Sequence, residues 1–222
     1  MARLIARGCE RGPHVTGRSL YRTSLAGALL TVAITGGLLT DGGSTRAVTD
    51  QALSALLLAT LPLMACLAVW GAGGAEDSLL AFGGNRRWSI ARQSAAFLWG
   101  LPLVSSLLAA LVLVWTRGAK DPRLVDDLVV TLPVATMAAL ATICAFLAVG
   151  QWFGRPGLVV LLLVWLTFGQ ADLLLAAALP GGHVRHLLGV GMALPFDPAW
   201  SMAALWGFSL FGFAAWMLRV PP

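Results

Sequence analysis

Charge is what this chain lacks most. Only 11% of its 222 residues are Asp, Glu, Lys or Arg and 58% are hydrophobic, against roughly 25% charged residues in a soluble domain. With a mean hydropathy of +0.82, a water-soluble globule is excluded. Lys120 is the only lysine. No G-x-x-x-x-G-K-[ST] segment exists to cradle phosphates, so the chain binds no nucleotide in that manner. Asp172 is the only acid inside an apolar stretch, which argues against ion coupling, because proton and sodium relays gather several polar groups at membrane depth. No histidine falls in an apolar stretch to activate Ser209 of Gly207-Phe-Ser209-Leu210, and Asp172 has no carboxylate twin. Neither a serine nor an aspartyl intramembrane hydrolase is therefore expected, and the chain is read as no enzyme. Of three cysteines, Cys66 and Cys144 lie in apolar stretches and Cys9 precedes them, so no disulfide framework is indicated. His183 and His186 sit three apart but have only the distant Asp197 as a third ligand, so neither a metal nor another cofactor is expected.

What is abundant is apolar length. Six stretches run Ser24 to Thr40, Ala52 to Gly73, Ser94 to Trp115, Leu128 to Val149, Leu158 to Leu179 and Trp200 to Val220. Each approaches or exceeds the roughly 20 residues a spanning helix needs. The fold predicted is all-α and polytopic, with six transmembrane helices in one permease-like domain, 24–220, after a basic leader, 1–23. Alternate loops give the orientation. With the N-terminus inside, that side holds Arg3, Arg7, Arg11, Arg18, Arg22, Arg86, Arg87, Arg92, Arg155 and Arg219. The other side holds Arg46, Arg117, Lys120, Arg123 and Arg185, so both termini are placed in the cytoplasm. These basic residues form no contiguous footprint, and nucleic acid is not an expected partner.

Gly8, Gly12 and Pro13 limit any leader helix to a short piece, either an amphipathic segment on the inner leaflet or a basic tail. Pro62, Pro102 and Pro133 predict bends inside spans. Gly36-Gly37, Gly73-Gly74 and Gly150-x-x-x-Gly154 permit close helix approach. Between the second and third spans, Glu76 and Asp77 are placed to cap a short helix, Ser78 to Phe82, which Gly83-Gly84-Asn85 ends. Arg86, Arg87 and Trp88 follow at interface height. That short helix offers Leu79, Leu80 and Phe82 either to lipid or to a cytoplasmic partner. On the outer side, Ala171 to Trp200 reads either as a straight fifth helix ending near Leu179 or as a hairpin re-entering the membrane before the last span. Gln170 and Asp172 stand there as candidates for a substrate path, with a structural or interfacial position as the alternative.

The segments Glu76-Asp-Ser-Leu-Leu, Trp88-Ser-Ile-Ala-Arg92, Leu98-Trp-Gly-Leu-Pro102-Leu and Gly150-Gln-Trp-Phe-Gly154-Arg-Pro-Gly resemble the permease subunits of type-2 ABC exporters. The nearest look is to the small permeases of cytochrome c maturation haem exporters. The resemblance implies a permease of the bacterial inner membrane working as a dimer, with a second copy or a related permease. Separate cytoplasmic ABC ATPase subunits would supply the energy. It makes Glu76, Asp77, Leu79, Leu80, Phe82, Arg86 and Arg87 the ATPase-docking coupling segment, and the leader an interfacial elbow helix. No haem-ligand set is legible, and no cofactor is carried over. A non-transporting membrane anchor and the substrate-capturing subunit of an importer are the alternative readings.

Overall fold

The computed structural model describes residues 2–40, 44–80, 86–118, 120–168, 174–190 and 197–218, and side chains within 21–40, 44–71, 95–118, 120–168, 176–190 and 197–218. Helix α1 is Ala2–Thr40, α2 Thr45–Ser54, α3 Leu61–Leu80, α4 Arg86–Arg117, α5 Leu124–Phe168, α6 Pro180–Leu188 and α7 Pro198–Met217. No strand occurs among the described residues. Five helical segments are long and apolar enough to cross a membrane: Tyr21–Thr40, Thr45–Gly71, Ala95–Arg117, Leu124–Phe168 and Pro198–Met217.

Prolines set the local geometry. A π-helical turn, Ala55–Thr60, joins α2 to α3, and the Leu61 N–H reaches back to the Leu56 carbonyl. Pro62 follows directly. Its ring would clash with the carbonyl four residues earlier in a regular helix, and the wider turn relieves that contact. Around Pro102 and Pro133, hydroxyls serve the backbone. Ser106 Oγ lies 2.8 Å from the Pro102 carbonyl and 2.8 Å from Thr136 Oγ1, and Ser105 Oγ donates to the Ala135 carbonyl at 3.4 Å. These bonds zip α4 to α5 where lipid offers no competing water.

Helix α5 folds back on itself at Gly154, whose φ of 64° and ψ of −156° are open only to glycine. The rings of Phe146 and Trp165 lie 6.0 Å apart, whereas a straight helix would separate them by about 28 Å. A Cβ at Gly150 would come within 2.9 Å of Val69 and 3.3 Å of Leu158. Of the Gly150-x-x-x-Gly154 pair, Gly150 makes the expected close approach, whereas Gly154 serves the reversal. The α5 hairpin forms the centre of the bundle, packed by α3, α4 and α7. Gly212 of α7 sits against the Cys144 backbone, where a Cβ would fall 2.8 Å from the carbonyl carbon. Helix α1 covers α3 with a stripe of small residues, Thr23, Gly27, Thr31 and Thr35, all buried. The Gly36-Gly37 pair does not take that role: a Cβ at Gly37 meets nothing within 4 Å.

Three expectations need correction. The leader is not limited to a short helix, since α1 is helical from Ala2 to Thr40. Gly12, lacking a Cβ, removes the crowding that normally bars helical geometry before a proline. No separate short helix capped by Glu76 and Asp77 occurs among the described residues, and 81–82 of the expected segment lie outside them. Helix α3 continues through the Gly73-Gly74 pair to Leu80, because glycine in a helix costs only about 1 kcal/mol and does not by itself stop one. The straight fifth helix to Leu179 is replaced by α5 ending at Phe168, a 3₁₀ turn at Leu174–Ala178 and then α6. The Leu179 N–H bonds the Ala176 carbonyl at 3.0 Å, so the tight turn leads directly into Pro180 at the first turn of α6.

Candidate functional site: a charged pocket beside a buried clasp

Helix α4 ends at Arg117, and Gly118, at a φ of 82°, turns the chain. Asp121 then starts α5: its Oδ1 accepts the Arg123 N–H at 2.9 Å, and its carbonyl accepts the Leu124 N–H at 3.1 Å. Asp126 and Asp127 fall in the first turn of α5, where the helix dipole favours acids. Arg117 reaches across, with one guanidinium nitrogen 3.0 Å from Asp127 Oδ2 and another 3.9 Å from Asp121 Oδ2. The Arg117 side chain is 17% exposed. Helix α2 joins this end through hydroxyls. Thr49 Oγ1 lies 2.9 Å from Thr116 Oγ1, which itself donates to the Val112 carbonyl at 2.8 Å. On the same helix Arg46 and Asp50 approach only to 4.0 Å.

These groups line a pocket of about 320 Å³ between α2, α4, α5 and α6. Its polar wall carries Arg46, Asp50, Arg117, Arg123 and Asp127, and its apolar wall includes Leu53, Leu113, Val130, Leu187 and Leu188. The volume is at the low end for small-molecule sites. In the sequence, Arg46, Arg117 and Arg123 bear only on orientation. Convergence of α2, α4, α5 and α6 has no local signature that would have joined them into one site.

Helix α6, which contributes Leu187 and Leu188 to the pocket, is fastened to α7 one turn earlier. His183 Nδ1 lies 3.1 Å from Ser201 Oγ, and Nε2 lies 2.9 Å from the Ala177 carbonyl. The carbonyl only accepts, so Nε2 carries the proton and Nδ1 accepts from the serine hydroxyl. Burial pushes the imidazole below its ordinary pKa of 6.5, His186 adds to that, and the Ala177 bond opposes it. A serine–imidazole pair is the elementary nucleophile and base of acyl transfer. Ser201 is 0% exposed, however, so no substrate carbonyl can approach it, and the pair acts as a clasp. Gly182 completes it, since any Cβ there would collide with the Ala176 carbonyl. Gly189, at a φ of 67°, ends α6 by directing the Val190 N–H onto the Arg185 carbonyl at 2.9 Å.

The described lining of this pocket includes none of the residues singled out from sequence. Glu76, Asp77, Leu79 and Leu80 occupy the last turns of α3, and Arg86 and Arg87 open α4. Their side chains lie outside the described residues, as do Phe82, Gln170 and Asp172 altogether. His183 is taken up by Ser201 and Ala177 rather than paired with His186 toward a shared ligand. Ser209 donates to the Leu205 carbonyl at 2.8 Å. Asp197 caps α7, accepting the Ala199 N–H at 2.8 Å. No protein-family model matches the chain, nor does any curated protein or solved structure.

Proposed function

We propose that the chain is the transmembrane subunit of an ATP-driven type-2 ABC exporter of the bacterial inner membrane, paired with a second permease and driven by a separate cytoplasmic ATPase. The observation that carries this reading is a helical overhang. The run from Thr45 to Leu80 rises about 54 Å and α4 about 48 Å, while the hydrocarbon core is about 30 Å thick. The Thr49–Thr116 bond aligns these two helices at one end. Their excess length therefore projects at the other end, which carries Glu76, Asp77, Leu79, Leu80, Arg86 and Arg87.

The charges of the overhang favour a partner over self-stabilisation. Helix dipoles prefer acids at N-termini and bases at C-termini. Here Glu76 and Asp77 sit near the C-terminus of α3, and Arg86 and Arg87 at the N-terminus of α4. The reversal at Gly154 splits α5 into a limb long enough for a full crossing and a return limb, 155–168, of about 21 Å, and in the proposed topology that return is the fifth of six spans with both ends inside. The pocket at the opposite end gives the importer-subunit reading its one specific support, because such subunits capture ligand alone.

Coexpression with the ATPase tests the proposal. The triple variant Leu79→Ala, Leu80→Ala, Phe82→Ala should insert into the membrane normally and lose the ATPase on purification. Full ATPase retention by this variant, or an ATPase rate unchanged by the presence of the wild-type chain, overturns it.

A further inference from the structure

We infer that the pocket between α2, α4, α5 and α6 binds the headgroup of a zwitterionic lipid, with phosphate on Arg123 and ammonium on Asp50. Charge pairing within the pocket leads to this. Arg117 is already held by Asp127 at 3.0 Å and flanked by Asp121 at 3.9 Å. Arg123 makes no ion pair among the described residues, while its backbone N–H is held by Asp121. The side chain of Asp50 is 41% exposed, and its one ion pair among the described residues, to an Arg46 that is 84% exposed, spans 4.0 Å. That separation is beyond hydrogen-bond length. Loosely engaged charges of both signs, Asp50 on one side and Arg123 and Arg46 on the other, therefore face one cavity. A purely anionic ligand would meet the Asp50 carboxylate there, and a purely cationic one the Arg123 guanidinium.

The walls argue for an amphiphile. Val130, at the pocket, is 60% exposed, and Val129 and Val125 continue that apolar surface along α5 at 68% and 65%. The pocket lies where Arg117 ends α4 and Leu124 begins α5, at the level where spans meet headgroups. At about 320 Å³ it holds a headgroup and no acyl chains, which leaves the chains to lie on the valines outside. An apolar surface open to lipid and a two-signed cavity at headgroup height are together what a phosphate and ammonium on a glycerolipid require. The site is complete in this chain and does not depend on an ATPase docking at the far end.

The test uses the purified full-length chain in detergent, with binding of dioctanoyl phosphatidylethanolamine followed by native mass spectrometry and by thermal shift. Dioctanoyl phosphatidylglycerol supplies the anionic arm and free phosphoethanolamine the soluble arm. Phosphatidylethanolamine should bind saturably and about tenfold or more tighter than either, the scale of one charge-assisted hydrogen bond. Arg123→Gln should weaken both lipids. Asp50→Asn should weaken phosphatidylethanolamine alone and so erase the preference. Val130→Trp, at an exposed position that leaves packing intact, should obstruct the pocket and abolish both. Equal binding of the two lipids by the wild type overturns the zwitterion assignment. Equal binding of phosphoethanolamine and its lipid overturns the amphiphile. Wild-type binding by Arg123→Gln and Val130→Trp overturns the site.

Discussion

The Arg117 cluster and the His183 clasp lie at the same end of the bundle, yet they hold polar groups in opposite ways. Arg117, Asp121 and Asp127 remain partly exposed and are built as ion pairs across a tight turn. His183, 7% exposed, and Ser201, fully buried, are built as a neutral hydrogen-bonded pair. The contrast follows the cost of desolvation. A charge taken fully out of water loses more than one partner returns, whereas a neutral donor and acceptor lose little when matched. Partial exposure of the pocket permits charge there. One turn away along α6 the clasp is buried, and its two hydrogen bonds suit the neutral imidazole. The pocket end is thus joined by two fasteners that answer to different perturbations.

The clasp should be the harder to lose. Gly182→Val places a branched side chain onto the Ala176 carbonyl, in backbone that cannot yield without unseating the 3₁₀ turn. A destabilisation of about 3 kcal/mol is expected, the upper range for overpacking. It should be read as a lowered midpoint of detergent-monitored unfolding, with release of α6 seen as faster amide exchange across Pro180–Leu188. A variant as stable as the wild type would mean that α6 is not seated as described. The cluster should respond less. Arg117→Ala is expected to cost about 1–2 kcal/mol, between the values for exposed and buried pairs. A double-mutant cycle with Asp127→Ala should show coupling that falls as salt is raised. Coupling near zero would reduce Arg117 to a packing residue.

How much of this was legible beforehand depends on range. Apolar run lengths foretold an all-helical chain with several helices long and apolar enough to cross a membrane, because run length is a local signal. By contrast, Gly8, Gly12 and Pro13 do not confine the leader to a short helix. A glycine or proline costs a helix only a few kcal/mol, and neighbouring residues decide the outcome. The pocket and the clasp were invisible for a different reason. Ser201 lies eighteen residues from His183, and Thr49 lies sixty-seven from Thr116. No spacing rule reaches across helices whose packing is set by small residues elsewhere. The stripe Thr23, Gly27, Thr31, Thr35 was missed because threonine does not stand out as a small residue, although its i, i+4 recurrence was present in the sequence.

Acid separates the two fasteners with the smallest effect. Helix α6 has nine residues and does not span the membrane, and its His183 has a pKa below the ordinary 6.5, chiefly through burial. An unfolded chain therefore takes up this proton before the folded one does. Stability from the clasp is complete above about pH 6.5 and declines as the pH falls toward the folded value. Once that value is passed, the folded protein is protonated as well, and Nδ1 can no longer accept the Ser201 hydroxyl. The measurement is the unfolding midpoint from pH 7.5 to 5.0. His183→Gln should flatten the slope in this window, and Ser201→Ala should lower the midpoint at neutral pH while retaining part of the slope, because burial, its main cause, is unchanged. A slope identical in the wild type and His183→Gln would assign the acid response elsewhere and leave the clasp as packing alone.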